Sequence, residues 1–211
     1  MLRKTSWLCC LLLVVSAGGC RKAPKKKQGE GKGKVTKVGK ATKKGPAADA
    51  DPGIISAYKP LPKVMASAKN PLTPEKINLG RMLYFDKRLS KNHDISCNSC
   101  HLLNKYGVDG LATSPGHKKQ LGTRNSPTVY NAAGHAMQFW DGREPTVEAQ
   151  AKGPVVNPVE MALKDGKAAE KVLRSIPGYV EAFKKAFPKA KEPVTYDNMA
   201  AAIGAFERKL V

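Results

Sequence analysis

Hydrophobic residues are spread unevenly along this chain, and the unevenness divides it. Near the start, Arg3 and Lys4 precede an apolar run from Trp7 to Val15, closed by the small residues Ser16, Ala17, Gly18 and Gly19. A positive start, a short apolar stretch and a small-residue end form an export signal. The run is too short to cross a bilayer as a stable helix. Residues 21–52 then carry almost no large apolar side chain. Order is expected from about Ile54, and Pro60, Pro62, Pro71 and Pro74 mark an irregular entry. Thr73-Pro74-Glu75 supplies a capping hydroxyl, a first-turn proline and an acid near the positive helix end. Ile77, Leu79, Leu83 and Tyr84 give that helix an apolar side, with its end near Phe85. A second helix is predicted from Asp165 to about Ser175, with Ala168, Val172, Leu173 and Ile176 on one side. Pro177 opens a third, packed through Val180, Phe183 and Phe187. Thr195 caps a fourth that runs to the chain end, where Met199, Ile203, Phe206 and Leu210 repeat at helical spacing. Residues 107–131 are rich in Gly, Ser, Thr, Asn and Pro and read as a long loop, of the kind that covers a cofactor. No segment alternates as a strand, so the expected fold is mostly α with long loops.

Charge changes this picture in one place. The net charge of +20 over 211 residues looks at first like a nucleic-acid signal. However, eleven basic residues and one acid, Glu30, lie between Arg21 and Lys44, so about half of the charge sits in that segment. With nothing apolar to offset the entropy of ordering it, the segment is expected to be a disordered basic tether. Contact with an anionic surface or an acidic partner is the functional alternative, and an exported segment excludes nucleic acid. The small-residue stretch before Cys20 resembles a bacterial lipoprotein signal, although Ala17 stands where leucine is usual. The expected organisation is a lipoprotein-type signal over 1–19, a Lys/Gly-rich linker over 20–52 and one folded domain over 53–211. Cys20 would carry a lipid that anchors the protein to a membrane in the periplasm or cell envelope. A simple cleaved signal is the alternative.

Cysteine usage then becomes simple. Cys9 and Cys10 leave with the signal and Cys20 is taken by lipid, so Cys97 and Cys100 remain. Cys97-Asn98-Ser99-Cys100-His101 is the attachment pentapeptide of c-type haem. Two thiols two residues apart bond the two vinyl groups on one porphyrin edge. A short helical turn then brings the next side chain, an imidazole, beneath the iron, and a backbone carbonyl can fix its second nitrogen. A thioredoxin-like redox pair would need a βαβ context, and a zinc site would need two more ligands at suitable spacing; neither is present.

Around this motif the chain resembles the bacterial di-haem cytochrome c peroxidases and their relatives that oxidise a partner protein's side chains. The resemblance runs from about Leu79 to Leu210. It is carried by Leu79–Asp86, Ser96–His101, Gly116-His117, Gly122–Val129, Phe139–Arg143, Gln150–Pro154, Val159–Met161 and Ala202–Arg208, in that order. It implies a cytochrome c-like haem domain with one covalent haem c. His117 matches the distal histidine that caps the iron's second face at rest and must leave before peroxide binds. A surface histidine beside Lys118 and Lys119 is the plain alternative. Glu160 matches the acid–base residue of the peroxide pocket, where one carboxyl of suitable pKa can take a proton from the near oxygen and give it to the far one. A solvated charge at a helix end is its alternative. Gln150 matches a hydrogen-bonding neighbour. Trp140 matches a tryptophan between two haems, against a buried packing tryptophan. Asn125 matches a calcium ligand whose other protein ligands come from a second domain, and its oxygen suits a hard cation.

That second domain, with its own attachment motif and axial methionine, has no counterpart before Val211. The expectation is a peroxidatic domain that reduces hydrogen peroxide to water with electrons from a small cytochrome or copper protein. The competing expectation is a mono-haem electron carrier with His101 and His117 as permanent ligands. Glu160 and Gln150 favour the first, and the absent second haem favours the second.

Overall fold

The computed structural model describes residues 59–211. The expected signal, the Cys20 lipid site and the basic tether lie outside them. Among the described residues there are six α-helices: α1 (Pro74–Phe85), α2 (Cys97–Cys100), α3 (Val147–Val156), α4 (Gly166–Arg174), α5 (Pro177–Ala186) and α6 (Tyr196–Glu207). The rest is loop, with short 3-10 turns and two isolated bridges, Pro115 with Leu121 and Gln138 with Glu144. No helix among these residues is long and apolar enough to cross a membrane.

Local chemistry explains the helix starts. Thr73 caps α1, accepting a hydrogen bond from the Lys76 N–H at 3.2 Å. Asp165 caps α4 and Thr195 caps α6 in the same way. Helix α6 lies at the centre, with Met199, Ala202, Ile203 and Ala205 almost fully buried. Two glycines let neighbours approach it. A Cβ on Gly80 of α1 would stand 1.8 Å from the Ala202 carbonyl oxygen, and one on Gly204 would stand 2.6 Å from Glu148 Cγ of α3. Leu79 and Leu83 of α1, Leu173 of α4, and Tyr179 and Phe183 of α5 complete the main core. Truncating one of these to alanine costs about 2–5 kcal/mol. A smaller cluster of Tyr84, Val129 and Phe206 packs on Cys97 and Leu103, tying the helical body to the Cys-x-x-Cys-His turn.

Three expectations change. Helix α3 lies where no helix was predicted: Thr146 caps it, accepting from the Ala149 N–H at 3.1 Å, and the chain stays helical through Gly153 and Pro154 to Val156. Helix α6 stops at Glu207 rather than at Val211. There the Arg208 carbonyl accepts from the Met65 N–H at 2.9 Å, and the Arg208 guanidinium is held by Glu148 and the Met65 carbonyl. Trp140 is 60% exposed, which removes the reading of a buried packing residue.

Candidate functional site

The Cys-x-x-Cys-His segment forms one helical turn. Ser96 and Ser99 close a capping box at its start, and the His101 N–H donates to the Cys97 carbonyl at 3.0 Å. Both thiols are free and partly buried. Burial, and then the Glu207 carboxylate, push the Cys97 thiol up to about 12. Burial also raises Cys100, against a hydrogen bond from Ser114 that holds it down. The His101 Nδ1 stands 2.9 Å from the Pro127 carbonyl oxygen. As donor in that bond it leaves Nε2 as the free ring acceptor. Burial pulls the imidazole below its usual range, so it is neutral at pH 7. Two thiols in one turn and a neutral imidazole with one nitrogen anchored are the donor set that covalent haem requires.

Side-chain hydroxyls fix the chain that leaves the motif. Tyr84 donates to the His101 carbonyl at 2.6 Å, Tyr130 to the Leu103 carbonyl at 2.9 Å and Thr128 to the Tyr106 carbonyl at 2.7 Å. An open cleft of about 420 Å³ is lined by Val108, Gly110, Leu111, Ala112, Asn125 and Ser126. It adjoins the motif, since the Ser126 hydroxyl is 2.6 Å from Ser114, which in turn bonds Cys100.

His117 is only 6% exposed, which sets aside a surface histidine. Its main-chain N–H donates to the carbonyls of both Val159 (2.9 Å) and Glu160 (2.8 Å). Gly116 makes this docking feasible, because a Cβ there would stand 2.0 Å from the Val159 oxygen. The following turn is closed by the Gln120 N–H on the His117 carbonyl at 3.1 Å. Its central residues, Lys118 and Lys119, both have left-handed φ (56° and 61°).

Glu160 is half-buried, and its Oε1 accepts from the Asn157 amide at 2.8 Å. Burial pushes its carboxyl above the ordinary range, against the Arg143 charge and the Asn157 hydrogen bond. Arg143 itself stacks 3.4 Å from the centre of the Phe139 ring and pairs with Asp141 at 2.8 Å. The backbone thus brings Glu160 and His117 into direct contact. Gln150 is half-buried on α3. Trp140 donates its indole N–H to the Asn125 carbonyl at 3.0 Å, and both residues are exposed. Among the described residues no group of three or more His, Cys, Asp or Glu side chains converges to support Asn125 in holding an ion. Sequence reasoning missed Tyr84, read only as an apolar helix position, and Asn157. The one signal for Asn157 was its place before Pro158, at the end of a helix that was itself missed.

A helical domain organised around a Cys-x-x-Cys-His turn is the class that this fold and site define, and the chain belongs to the di-haem cytochrome c peroxidase family, whose model matches residues 74–211. It is 50% identical over 155 residues to the cytochrome c551 peroxidase of Pseudomonas aeruginosa, covering 73% of this chain and 44% of that protein. It is 46% identical over 165 residues to the cytochrome c551 peroxidase of Nitrosomonas europaea, covering 77% and 47%. Among solved structures it resembles a MauG-like protein associated with microbial copper homeostasis, with a TM-score of 0.67 and 34% identity over 72% of this chain and 45% of that one. The chain therefore spans about half the length of the curated relatives it matches. Membership of the family implies haem c as cofactor.

Proposed function

We propose that this chain is a peroxidatic haem domain that reduces hydrogen peroxide to water. In this reading Cys97 and Cys100 hold one haem through thioethers, His101 is the proximal ligand and His117 the distal ligand at rest. The haem supplies redox-active iron with a coordination position that peroxide can take once His117 leaves. The balance is one hydrogen peroxide, two electrons and two protons giving two waters. The electrons come from a small cytochrome or copper protein. Glu160 takes the proton from the near oxygen and returns it to the far one, with Asn157 orienting its carboxylate. Gln150 hydrogen-bonds in the same pocket. Trp140 lies on the electron path, and Asn125 offers an oxygen to calcium. The sequence pattern before residue 53 adds export and a lipid anchor at Cys20.

The observation that carries the reading is the pair of bonds from the His117 N–H to the carbonyls of Val159 and Glu160. They tie the main chain of the proposed distal ligand to the segment that carries the proposed acid, so a movement of the His117 turn is coupled to Glu160. A permanent electron carrier has no use for a half-buried acid there. Rapid mixing of the reduced holoprotein with peroxide tests the proposal. Glu160→Gln should slow the reaction about 10²–10⁴-fold while leaving the resting spectrum unchanged. A wild-type protein that stays low-spin and indifferent to peroxide in both oxidation states would instead be a bis-histidine carrier.

A further inference from the structure

We propose that Tyr84 is a positioning residue for His101, holding its main chain so that the imidazole meets the Pro127 carbonyl at the right angle and distance. The inference rests on the reading of His101 as the proximal ligand. Tyr84 is fully buried on α1, and its ring packs edge-on against Phe206 at 5.3 Å and Phe85 at 5.4 Å. That packing leaves its hydroxyl little freedom. The hydroxyl donates to the His101 carbonyl at 2.6 Å, and no other donor reaches that oxygen among the described residues.

The geometry matters because His101 sits at the end of its helical turn with φ −119° and ψ 63°, outside helical values. Regular secondary structure does not fix its carbonyl, so the peptide plane can rock unless something holds it. Tyr84 holds the main chain from the helical body, while Pro127 holds Nδ1 from the loop at 2.9 Å. A strong Nδ1–H bond to a carbonyl gives the imidazole partial anionic character, which favours ferric iron. Releasing the Tyr84 clamp lets the ring drift from Pro127 and weakens that character. The haem potential should then shift positive, and the Nδ1 proton should exchange faster.

Tyr130 provides the internal control, since its hydroxyl makes the same kind of bond to the Leu103 carbonyl, two residues beyond the ligand. Tyr84→Phe and Tyr130→Phe are compared in the full-length holoprotein by thermal melting, spectroelectrochemistry and nitrogen-15 NMR of histidine. Both should lower the melting temperature to a similar degree. Only Tyr84→Phe should shift the midpoint potential positive and speed exchange of the His101 Nδ1 proton, by about tenfold or more. Unchanged potential and exchange in Tyr84→Phe, or equal changes in both variants, would overturn the positioning role. If Tyr84→Phe does not assemble with haem, Phe206→Leu keeps the hydroxyl but loosens the ring's packing. A positive shift in that variant supports the role and none overturns it. His101→Met tests the underlying reading separately: unaltered ligand bands there would overturn the ligand assignment itself, and the role of Tyr84 with it.

Discussion

The two histidines proposed to face the iron are held in opposite ways. His101 is fixed at its ring nitrogen by Pro127 and at its carbonyl by Tyr84, and two more hydroxyls stitch the chain that follows. Of these anchors Tyr84 belongs to a buried cluster that joins α1 and α6 to Cys97 and Leu103. His117 hangs from two main-chain hydrogen bonds, on a turn whose central residues are both left-handed lysines. Such a turn favours Asn and Gly, and a left-handed lysine costs roughly 1–2 kcal/mol. One side of the site is built on the core of the fold, and the other is docked against a neighbouring segment under strain. A peroxidatic centre needs this difference, because one ligand must stay and the other must leave.

The sharpest way to break the contrast is to undock the distal turn while leaving the proximal side alone. Gly116→Ala would drive a methyl into the Val159 carbonyl oxygen, 2.0 Å from an ideal Cβ, and into the Glu160 backbone at 2.9 Å. Backbone atoms cannot give way as a flexible side chain does. The turn should lift off and take His117 with it. The expected outcome is near-complete conversion of the resting ferric spectrum from low to high spin, with the haem still covalently attached. A variant that stays low-spin would show that His117 is not the resting ligand, and the proposed contrast would collapse.

A gentler change should deepen the contrast. Lys118→Asn combined with Lys119→Gly puts residues that accept left-handed φ where the turn demands it. Relief of the strain should stabilise the docked turn by about 1–2 kcal/mol, close to a tenfold drop in its open population. Amide exchange at Lys119 and Gln120 should slow by that factor, and the reaction with peroxide should slow with it. Replacing both lysines by glutamine removes the same charges and keeps the strain, so it should leave both rates near wild type. If the glutamine pair behaves like the Asn-Gly pair, charge rather than backbone strain governs the turn.

The proximal motif was legible in the sequence and its supports were not, for a physical reason. Covalent haem attachment demands two thiols and an imidazole at fixed spacing, and a fixed spacing survives as text. The Tyr84 clamp joins residues on separate elements, and along the chain Tyr84 is only another apolar helix position. The helices divide in the same way. Helices α1, α4, α5 and α6 announce themselves through Thr73, Asp165, Pro177 and Thr195 and through apolar spacing. Helix α3 has Thr146 as its cap, but Gly153 and Pro154 are the residue types of lowest helix propensity, and packing against α6 holds the segment helical in spite of them. The end of α6 depends on contacts from Met65 and Glu148, which no local pattern encodes. The exposure of Trp140 is likewise a matter of tertiary placement, because a tryptophan in a loop reads the same buried or exposed.

The smallest expected effect concerns the stability of the proximal side alone. Glu207 at the end of α6 is buried, and burial, reinforced by the Glu148 charge and opposed by Arg208, raises its carboxyl to about 8. Its charge also acts on Tyr84 and Cys97 in the proximal cluster. A carboxyl whose folded pKa lies above its unfolded value binds more protons in the folded state. The stability it contributes is complete below the unfolded carboxyl range and is lost as pH rises through about 8. The holoprotein should therefore melt lower at pH 9 than at pH 6, by about 2–6 °C. Glu207→Gln should flatten that slope. Amide exchange at the distal turn, corrected for its intrinsic pH dependence, should not respond over the same range, since Glu207 belongs to the body that holds His101 rather than to the segment that holds His117. A distal turn that loosens in step with the melting temperature would mean that the two sides are mechanically one unit, and that the asymmetry between the histidines lies in their hydrogen bonds alone.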